Sequence, residues 1–201
     1  MVSKRSNIII ASVVALLCFL TLAWMSCKRT DSLSRCEGVV CQNAGVCKYD
    51  SVGNKQMPVC HCPVGWEGSD CSIVSVQKYL ANWNNIQSIT WSDSTRYIHD
   101  SSSYPLYLVS ASTPTTFFIN NFFDNSYYNN IICTLDSTNS YAFTIDTLSD
   151  FEMNFSHYHI LWGQGVISPD QSTIDANMYI KYKNKSTNWE VDSISFHMIK
   201  N

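Results

Sequence analysis

The chain has 201 residues and a formal net charge of −3, and 45% of its residues are hydrophobic against 14% charged. This length accommodates one or two modest domains, and the hydrophobic fraction argues against a disordered chain. Lysine and arginine number only 13 and are scattered, which argues against a nucleic-acid partner because phosphate binding needs clustered cations.

The N-terminal segment is predicted to direct export. Lys4 and Arg5 precede an uncharged run, Ile8–Met25, and Ser26 and Cys27 follow it. A basic start, an apolar middle and a small residue at the end are typical of a secretory signal. The Ser26-Cys27 step resembles the lipobox of bacterial lipoproteins, which implies cleavage before Cys27 and lipidation of its thiol. Residues 1–26 would then be a signal peptide and residues 27–35 a tether linker.

A signal anchor is the alternative fate of this segment. The uncharged run of 18 residues falls within the about 17–25 residues that span a bilayer as a helix. Both fates tether the chain to a membrane with its C-terminal part outside. We therefore expect an exported protein on the outer surface of a cell membrane or a bacterial outer membrane.

A dense cysteine cluster follows the linker. Six of the nine cysteines lie within 36 residues, in the order Cys36-x4-Cys41-x5-Cys47-x12-Cys60-x-Cys62-x8-Cys71. Such density indicates an oxidising compartment, because a segment this short cannot bury enough apolar surface and needs covalent staples. A zinc site is the chemical alternative, although zinc sites usually present paired Cys-x2-Cys knuckles, which this cluster lacks.

The cluster resembles an EGF-like domain over residues 36–71. The family's Asn-x-Gly turn matches Asn43-Ala44-Gly45, and its glycine-aromatic-x-glycine turn matches Gly65-Trp66-Glu67-Gly68. The resemblance implies three disulfides, Cys36–Cys47, Cys41–Cys60 and Cys62–Cys71.

The residues that define two functional subtypes of EGF-like domains are different in this chain. Calcium-binding members carry an acidic pair before the first cysteine, where this chain has Ser34 and Arg35. Receptor-activating members carry Arg before the sixth cysteine, where this chain has Asp70. Two roles stay open for the module, a rigid spacer or direct partner binding through the region of Trp66.

Residues 72–201 are predicted to form an antiparallel β-domain, because short apolar runs alternate with Ser, Asn, Asp and Pro clusters. Short connections favour a meander, closed as a barrel or folded as a sandwich. A bulge is expected near Asp192–Ser193, where the apolar alternation changes phase. The predicted strands are Val76–Trp83, Gln87–Trp91, Leu106–Ala111, Thr116–Phe123, Asn130–Leu135, Tyr141–Thr147, His157–Ile167, Thr173–Lys183 and Trp189–Ile199.

The clearest alternation lies in the strand that begins at Thr173. One face carries only apolar or aromatic side chains, and this face is predicted to be buried. Its members are Ile174, Ala176, Met178, Ile180 and Tyr182.

This half of the chain also resembles a β-domain found after EGF-like modules in bacterial surface lipoproteins of unknown function. The segments Lys78–Trp83, Phe118–Phe122 and Gly163–Val166 carry the resemblance. It implies a lipocalin-like fold. Cys133 has no second cysteine nearby and is predicted to be a buried thiol in an apolar strand.

Candidate catalytic and metal-binding residues are few. His157 and His159 alternate on one strand and would need a third ligand such as His197 to hold a metal ion. The carboxylates of Asp146, Asp150 and Glu152 cluster near a predicted turn, where solvation explains them. No phosphate loop, nucleophile elbow or zinc-protease motif is present, so we expect a protein that is not an enzyme and needs no cofactor or metal.

The tryptophans are the more informative signal. Trp83, Trp91, Trp162 and Trp189 exceed what a small barrel needs for its core and form a candidate ligand surface. We expect a non-enzymatic binding or adhesion module on an EGF-like spacer, with a protein, a glycan or a small apolar molecule as partner. The alternatives are a lipocalin-like carrier of a small hydrophobic ligand and an envelope-structural protein.

Overall fold

The structure, a computed structural model, describes residues 36–93, 101–126, 128–153, 156–183 and 189–201, with only the backbone at 149–153 and Ser156. The predicted signal segment, the linker and Cys27 lie outside these residues. The described chain divides into two compact units, 36–40 with Cys47–Val59 and Cys41–Val46 with Cys60–Asn201. No helix in the described ranges is long and apolar enough to cross a membrane.

The first unit contains most of a two-stranded sheet, β1 (Val46–Val52) and β2 (Lys55–His61). The strands are joined at Gly53, whose φ of +63° suits the turn because glycine lacks a Cβ. A disulfide joins Cys36 to Cys47. Most side chains of the sheet are exposed, so this unit depends on covalent bonds rather than on an apolar core.

The second unit begins with the rest of the cysteine cluster. Disulfides join Cys41 to Cys60 and Cys62 to Cys71, so all three bonds pair as the EGF-like resemblance implies. A short pair of strands, β3 (Trp66–Glu67) and β4 (Ile73–Val74), follows. The predicted disulfide-rich region ahead of a β-domain is confirmed.

An antiparallel barrel forms the remainder of the second unit. From β5 to β9 and from β10 to β13 each strand pairs with the next one in the chain, and the pairings β13–β5 and β9–β11 close the ring. Because β9 and β10 both pair with β11, they act as two segments of one barrel position, and the barrel has eight positions. The strands are β5 (Ala81–Ser92), β6 (Ser101–Ser110), β7 (Thr116–Asn120), β8 (Ile131–Leu135), β9 (Ala142–Ile145), β10 (Leu148–Met153), β11 (Ser156–Ile167), β12 (Thr173–Lys183) and β13 (Glu190–Lys200).

The mainly β, antiparallel meander that the sequence predicts is confirmed, and the closed pairing selects the barrel over the sandwich. The predicted strand Thr173–Lys183 has the expected bounds and buries the expected face. The predicted strand Val76–Trp83 is wrong, because a 3₁₀ turn occupies Ser75–Lys78 and β5 starts only at Ala81. The predicted strand Gln87–Trp91 is the second half of β5.

A proline just ahead of the predicted strand Leu106–Ala111 lies inside the observed strand β6. Pro105 pairs with Asn84 within β6 and has no N–H to donate. Its carbonyl accepts a hydrogen bond of 2.7 Å from the side-chain amide of Asn121. The strand therefore continues through the proline.

The expected irregularity near Asp192–Ser193 is present on the opposite strand. Ser193 pairs with Trp91 and Ile194 pairs with Ile89, so the extra residue is Thr90 of β5. The even-numbered positions of β13 from 192 to 198 are buried, and Ser193 between the first two of them is buried as well. Asp192, rather than an apolar residue, takes the inward position at that end.

The barrel core is apolar and aromatic at the end where the 3₁₀ turn lies. Tyr79 stacks on Phe117 with ring centroids 4.9 Å apart, and both rings contact the edge of Phe143. The indole N–H of Trp83 donates to the carbonyl of Tyr79 at 2.9 Å. Glycine is required at 165, because a Cβ there would lie 2.3 Å from the Phe143 ring.

Candidate functional site

Three of the four predicted tryptophans lie on the outer face of the barrel. Trp91, Trp162 and Trp189 are 51%, 47% and 37% exposed. Trp83 is fully buried in the core, where the Lys200 ammonium lies 5.6 Å from its ring centroid. Trp83 therefore contributes to the fold and not to an exposed surface.

The aromatic row is the name we give to Trp162, Tyr179 and Trp91. Trp162 pairs with Tyr179, Tyr179 pairs with Ser193, and Ser193 pairs with Trp91, so one line crosses four adjacent strands. The Trp162 and Tyr179 rings stack with centroids 4.8 Å apart and planes 29° apart. At a strand spacing of about 4.8 Å the line extends about 14 Å.

A second line of side chains, the polar row, runs beside the aromatic row. Successive pairings join Thr144, Gln164, Asn177, Ser195 and Ser88, and all five side chains are uncharged. Along β11 and β12 this row lies two residues from the aromatic row, which places both rows on the same face of the sheet. A cleft of about 290 Å³ opens beside Thr144, Gln164 and Asn177.

A basic corner, formed by His159, Lys181, Lys183 and Trp189, lies beyond the aromatic row. The Trp189 ring meets the His159 ring edge-on at 4.7 Å, and the Lys181 ammonium lies 5.1 Å from the Trp189 centroid. His159 is directly opposite Lys181, and His157 is directly opposite Lys183. Among the described residues, no carboxylate forms an ion pair with Lys181 or Lys183.

The histidines considered as metal ligands do not converge. His197 lies opposite Asp175 and contacts its carboxylate at 2.6 Å. His159 lies opposite Lys181, six residues farther along β12. In the described ranges, no group of three His, Cys, Asp or Glu side chains is arranged to hold a metal ion.

In the described part of the structure, the carboxylates considered for catalysis do not line a common cleft. Asp146 accepts a hydrogen bond of 3.4 Å from the Thr134 hydroxyl on the neighbouring strand. The side chains of Asp150 and Glu152 lie outside the described part of the chain. Cys133 is a free, fully buried thiol, as predicted, and burial raises its pKa well above the usual value.

The glycine-aromatic-x-glycine turn lies against a barrel loop. Gly65 and Gly68 have φ of +90° and +93°, a conformation that favours glycine. A Cβ at Gly65 would lie 2.9 Å from a Thr115 methyl group and 3.0 Å from Pro114. Trp66 pairs with Val74 and is only partly exposed. The turn residues thus serve close packing in this unit.

A buried ion pair next to this turn was not predicted from the sequence. The Lys78 ammonium is 2.8 Å from Glu67, 3.0 Å from the Ser140 hydroxyl and 4.1 Å from the centroid of the Tyr141 ring. The Lys78 side chain is 2% exposed and that of Glu67 is 32% exposed. Nothing in the local sequence marks Lys78 as buried, because its partners lie 11 and 62 residues away.

Two polar side chains occupy inward positions of the barrel. Asn85 is fully buried, and neither atom of its amide has a hydrogen-bond partner in the described structure. Asp192 is 4% exposed, and one of its carboxylate oxygens has no partner. Burial raises the pKa of Asp192, a hydrogen bond from Ser92 opposes the rise, and the nearby carboxylates of Asp93 and Glu190 add to it.

The chain was compared with protein-family models and with curated proteins. No protein-family model matches the chain, and no curated protein matches it. The structure itself shows a region stapled by three disulfides and an eight-stranded antiparallel barrel. The disulfides are typical of an oxidising, extracytoplasmic compartment.

Proposed function

We propose that this protein is an exported, membrane-tethered, non-enzymatic binding protein that uses the outer face of its barrel to bind a glycan. The tether rests on the N-terminal signal pattern and on Cys27 or an uncleaved anchor. The disulfide-rich region, with its EGF-like resemblance, acts as a stapled spacer. The observation that carries the binding role is the aromatic row beside the polar row.

Exposed rings in a line are unusual for a water-facing sheet. Outer positions of a barrel strand are normally polar, and an indole left half in water forgoes the free energy of its burial, about 25 cal/mol per Å² of apolar surface. Trp162 and Trp91 are both about half exposed and occupy the two ends of one line. A partner that covers both rings recovers that burial.

The polar row favours a glycan over a protein as the partner. A sugar ring presents an apolar face of C–H groups and a rim of hydroxyl groups, so it needs a flat aromatic ring and hydrogen-bonding groups at its side. The amides of Gln164 and Asn177 both donate and accept hydrogen bonds, and both side chains are exposed. Protein interfaces instead centre on a fully desolvated apolar patch, and here the aromatic row is bordered directly by amides.

Binding on the outer face agrees with the geometry of the barrel better than transport of a ligand inside it does. A carrier of a hydrophobic molecule needs an open apolar interior, and the end of the barrel near the 3₁₀ turn is filled by Tyr79, Trp83, Phe117 and Phe143. The aromatic row, in contrast, is already accessible. We therefore place recognition on the outer face and leave the interior with a structural role.

The test measures glycan binding by the full chain and by variants of the aromatic row. An array of neutral, uronate-bearing and sulfated oligosaccharides identifies a ligand, and titration with intrinsic tryptophan fluorescence gives its affinity. We expect Trp91→Ala and Trp162→Ala each to weaken binding about tenfold, since loss of one aromatic contact of about 1.4 kcal/mol is a tenfold change.

The matched control is Tyr107→Ala, which removes another exposed ring, 40% exposed on β6, away from the aromatic row. This variant should bind as the unmodified protein does. The proposal is overturned if no glycan on the array binds, or if a bound glycan keeps its affinity in the Trp91→Ala and Trp162→Ala double variant.

A further inference from the structure

We infer that the glycan bound on the outer face is uncharged, and that Asp136 and Asp175 make this selection in the cleft beside the polar row. The inference rests on the proposed function, because it names the class of glycan that the same face binds. It depends on the side chains of the cleft and not on the rings of the aromatic row. The two ideas can therefore fail separately.

The cleft lies along the side of the polar row that faces away from the aromatic row. Val166 pairs with Ala142 of β9 and with Asp175 of β12, so these outer residues lie two positions beyond the polar row on each strand. The backbone N–H of Asp136 donates to the carbonyl of Ala142 at 2.9 Å, which places Asp136 at the other end of the cleft. The polar lining between the two carboxylates consists of Thr144, Gln164 and Asn177.

The two carboxylates are held in place by the protein through one oxygen each. Oδ1 of Asp136 accepts hydrogen bonds from the Thr138 hydroxyl at 2.6 Å and from the backbone N–H groups of Thr138 and Asn139 at 2.7 and 3.0 Å. Oδ1 of Asp175 lies 2.6 Å from Nδ1 of His197, and the Asp175 side chain is 64% exposed. Within the described ranges the second oxygen of each carboxylate has no hydrogen-bond partner, so it is free to accept one from a ligand.

The cleft offers more hydrogen-bond acceptors than donors. An ionised carboxylate only accepts hydrogen bonds, whereas the amides of Gln164 and Asn177 and the hydroxyl of Thr144 both donate and accept. A ligand of this cleft must therefore supply donors. Every hydroxyl of an uncharged sugar can donate, and hydrogen bonds from hydroxyls to carboxylates are about twice as strong as those between neutral groups. The carboxylate of a uronate or a sulfate group has no proton to donate.

The charges around the cleft also oppose an anionic ligand. Asp146 lies two residues beyond Thr144 and adds a third carboxylate. Apart from His197, no basic side chain of the described residues forms an ion pair with any of the three. Lys181 is six residues from Asp175 on β12, about 20 Å along the strand, whereas the Debye length is about 8 Å at physiological ionic strength. The basic corner therefore leaves the charge at the cleft uncompensated.

The experiment compares uncharged and acidic polymers that share a backbone. The pairs are hydroxyethyl cellulose with carboxymethyl cellulose, dextran with carboxymethyl dextran, and highly methyl-esterified polygalacturonate with the free acid. At pH 7.5, where an ordinary histidine is mostly uncharged, and about 50 mM NaCl, we expect the full chain to bind the uncharged member of at least one pair. Its affinity should exceed that of the acidic member at least tenfold. This preference should shrink at 0.5 M NaCl, because the Debye length then falls below about 5 Å.

The variant for this test is Asp136→Asn with Asp175→Asn. Asparagine keeps the oxygen that the protein already uses and replaces the free oxygen by a donor, so the hydrogen bonds inside the protein are preserved. We expect this variant to bind the uncharged polymer more weakly and to prefer it less than about threefold. The matched control is Glu37→Gln with Asp50→Asn, which removes two exposed carboxylates from the first unit and should keep the full preference.

Four results overturn the inference. They are equal or tighter binding of the acidic member in every pair that binds, a preference for the uncharged member that survives in the Asp136→Asn and Asp175→Asn variant, an equal loss of preference in the control, and no binding of any of the six polymers. If both members of a pair bind equally and binding still needs Trp91 and Trp162, the selection is refuted and the proposed function stands. If nothing binds, the oligosaccharide array decides the proposed function by itself.

Discussion

The ion pair between Glu67 and Lys78 gives a test of how the cysteine-rich turn is held to the barrel. At 2.8 Å and an effective dielectric constant of 20, the gross attraction is about 6 kcal/mol. Desolvation of the ammonium, which is 2% exposed, offsets much of it. We therefore expect the intact pair to contribute little to the free energy of unfolding, and a large loss of stability only when one partner is removed.

Glu67→Gln should cost about 2–3 kcal/mol in the free energy of unfolding. It leaves the Lys78 ammonium buried without an opposite charge, beside the Ser140 hydroxyl and the Tyr141 ring. Removal of one partner from a fully buried pair costs about 3–5 kcal/mol, and because Glu67 is one third exposed we expect a loss below that range. Lys78→Met added to this variant should restore stability to within about 1 kcal/mol of the unmodified protein, because no charge is then left unpaired.

The assay is urea unfolding of the disulfide-intact full chain at pH 7, followed by tryptophan fluorescence. Glu37→Gln, an exposed glutamate in the first unit, is the matched control and should change stability by less than about 0.5 kcal/mol. The reasoning is refuted if the losses in unfolding free energy caused by Glu67→Gln and by Lys78→Met simply add in the double variant. It is also refuted if Glu67→Gln costs no more than the control Glu37→Gln.

Three further predictions concern residues inside the barrel. Asp192→Asn should raise the free energy of unfolding by about 1 kcal/mol at pH 7 and have little effect at pH 3. Burial raises the folded-state pKa of Asp192 above 3.8, so its carboxyl group binds more protons in the folded than in the unfolded chain. The stability of the unmodified protein therefore falls as the pH rises from 3.8 through the raised pKa. Thermal unfolding of both proteins across this pH range checks the prediction. Gly165→Ala should destabilise the barrel by about 1–3 kcal/mol, because the new methyl group would clash with Phe143, and urea unfolding measures the loss. The Cys133 thiol should react with a thiol reagent only at the rate of unfolding, because it is fully buried and burial raises its pKa, and reaction in native buffer at the rate of an exposed thiol would contradict this.

The barrel could be predicted largely from local signals. Alternation of apolar residues gave the bounds of β12, and polar turn segments marked most of the connections. The errors arose where a local signal was overruled by packing. The predicted strand Leu106–Ala111 begins after Pro105, whereas β6 includes this proline and tolerates its missing N–H. The apolar residues Val76 and Tyr79 suggested a strand, whereas they are buried by a 3₁₀ turn that packs on the barrel core.

The contacts that define the candidate site could not be predicted in the same way. Whether two outer residues become neighbours depends on strand order and register, and a shift of one residue exchanges the faces of a strand. The line from Trp162 to Trp91 joins residues 71 positions apart through two intervening strands. The bulge at Thr90 is what brings Trp91 to the outer face opposite Ser193. No local pattern in β5 specifies that partner.

The placement of the tryptophans follows from the limited volume of the barrel. An eight-stranded barrel has an interior just wide enough for its own side chains, and here the large rings of Tyr79, Trp83, Phe117 and Phe143 already fill one end. Further tryptophans must then lie outside, where a single exposed indole is unremarkable. Trp162 and Trp91 are aligned by register with Tyr179 between them and with the uncharged polar row beside them, and this arrangement is better explained by selection for a ligand than by the needs of the core.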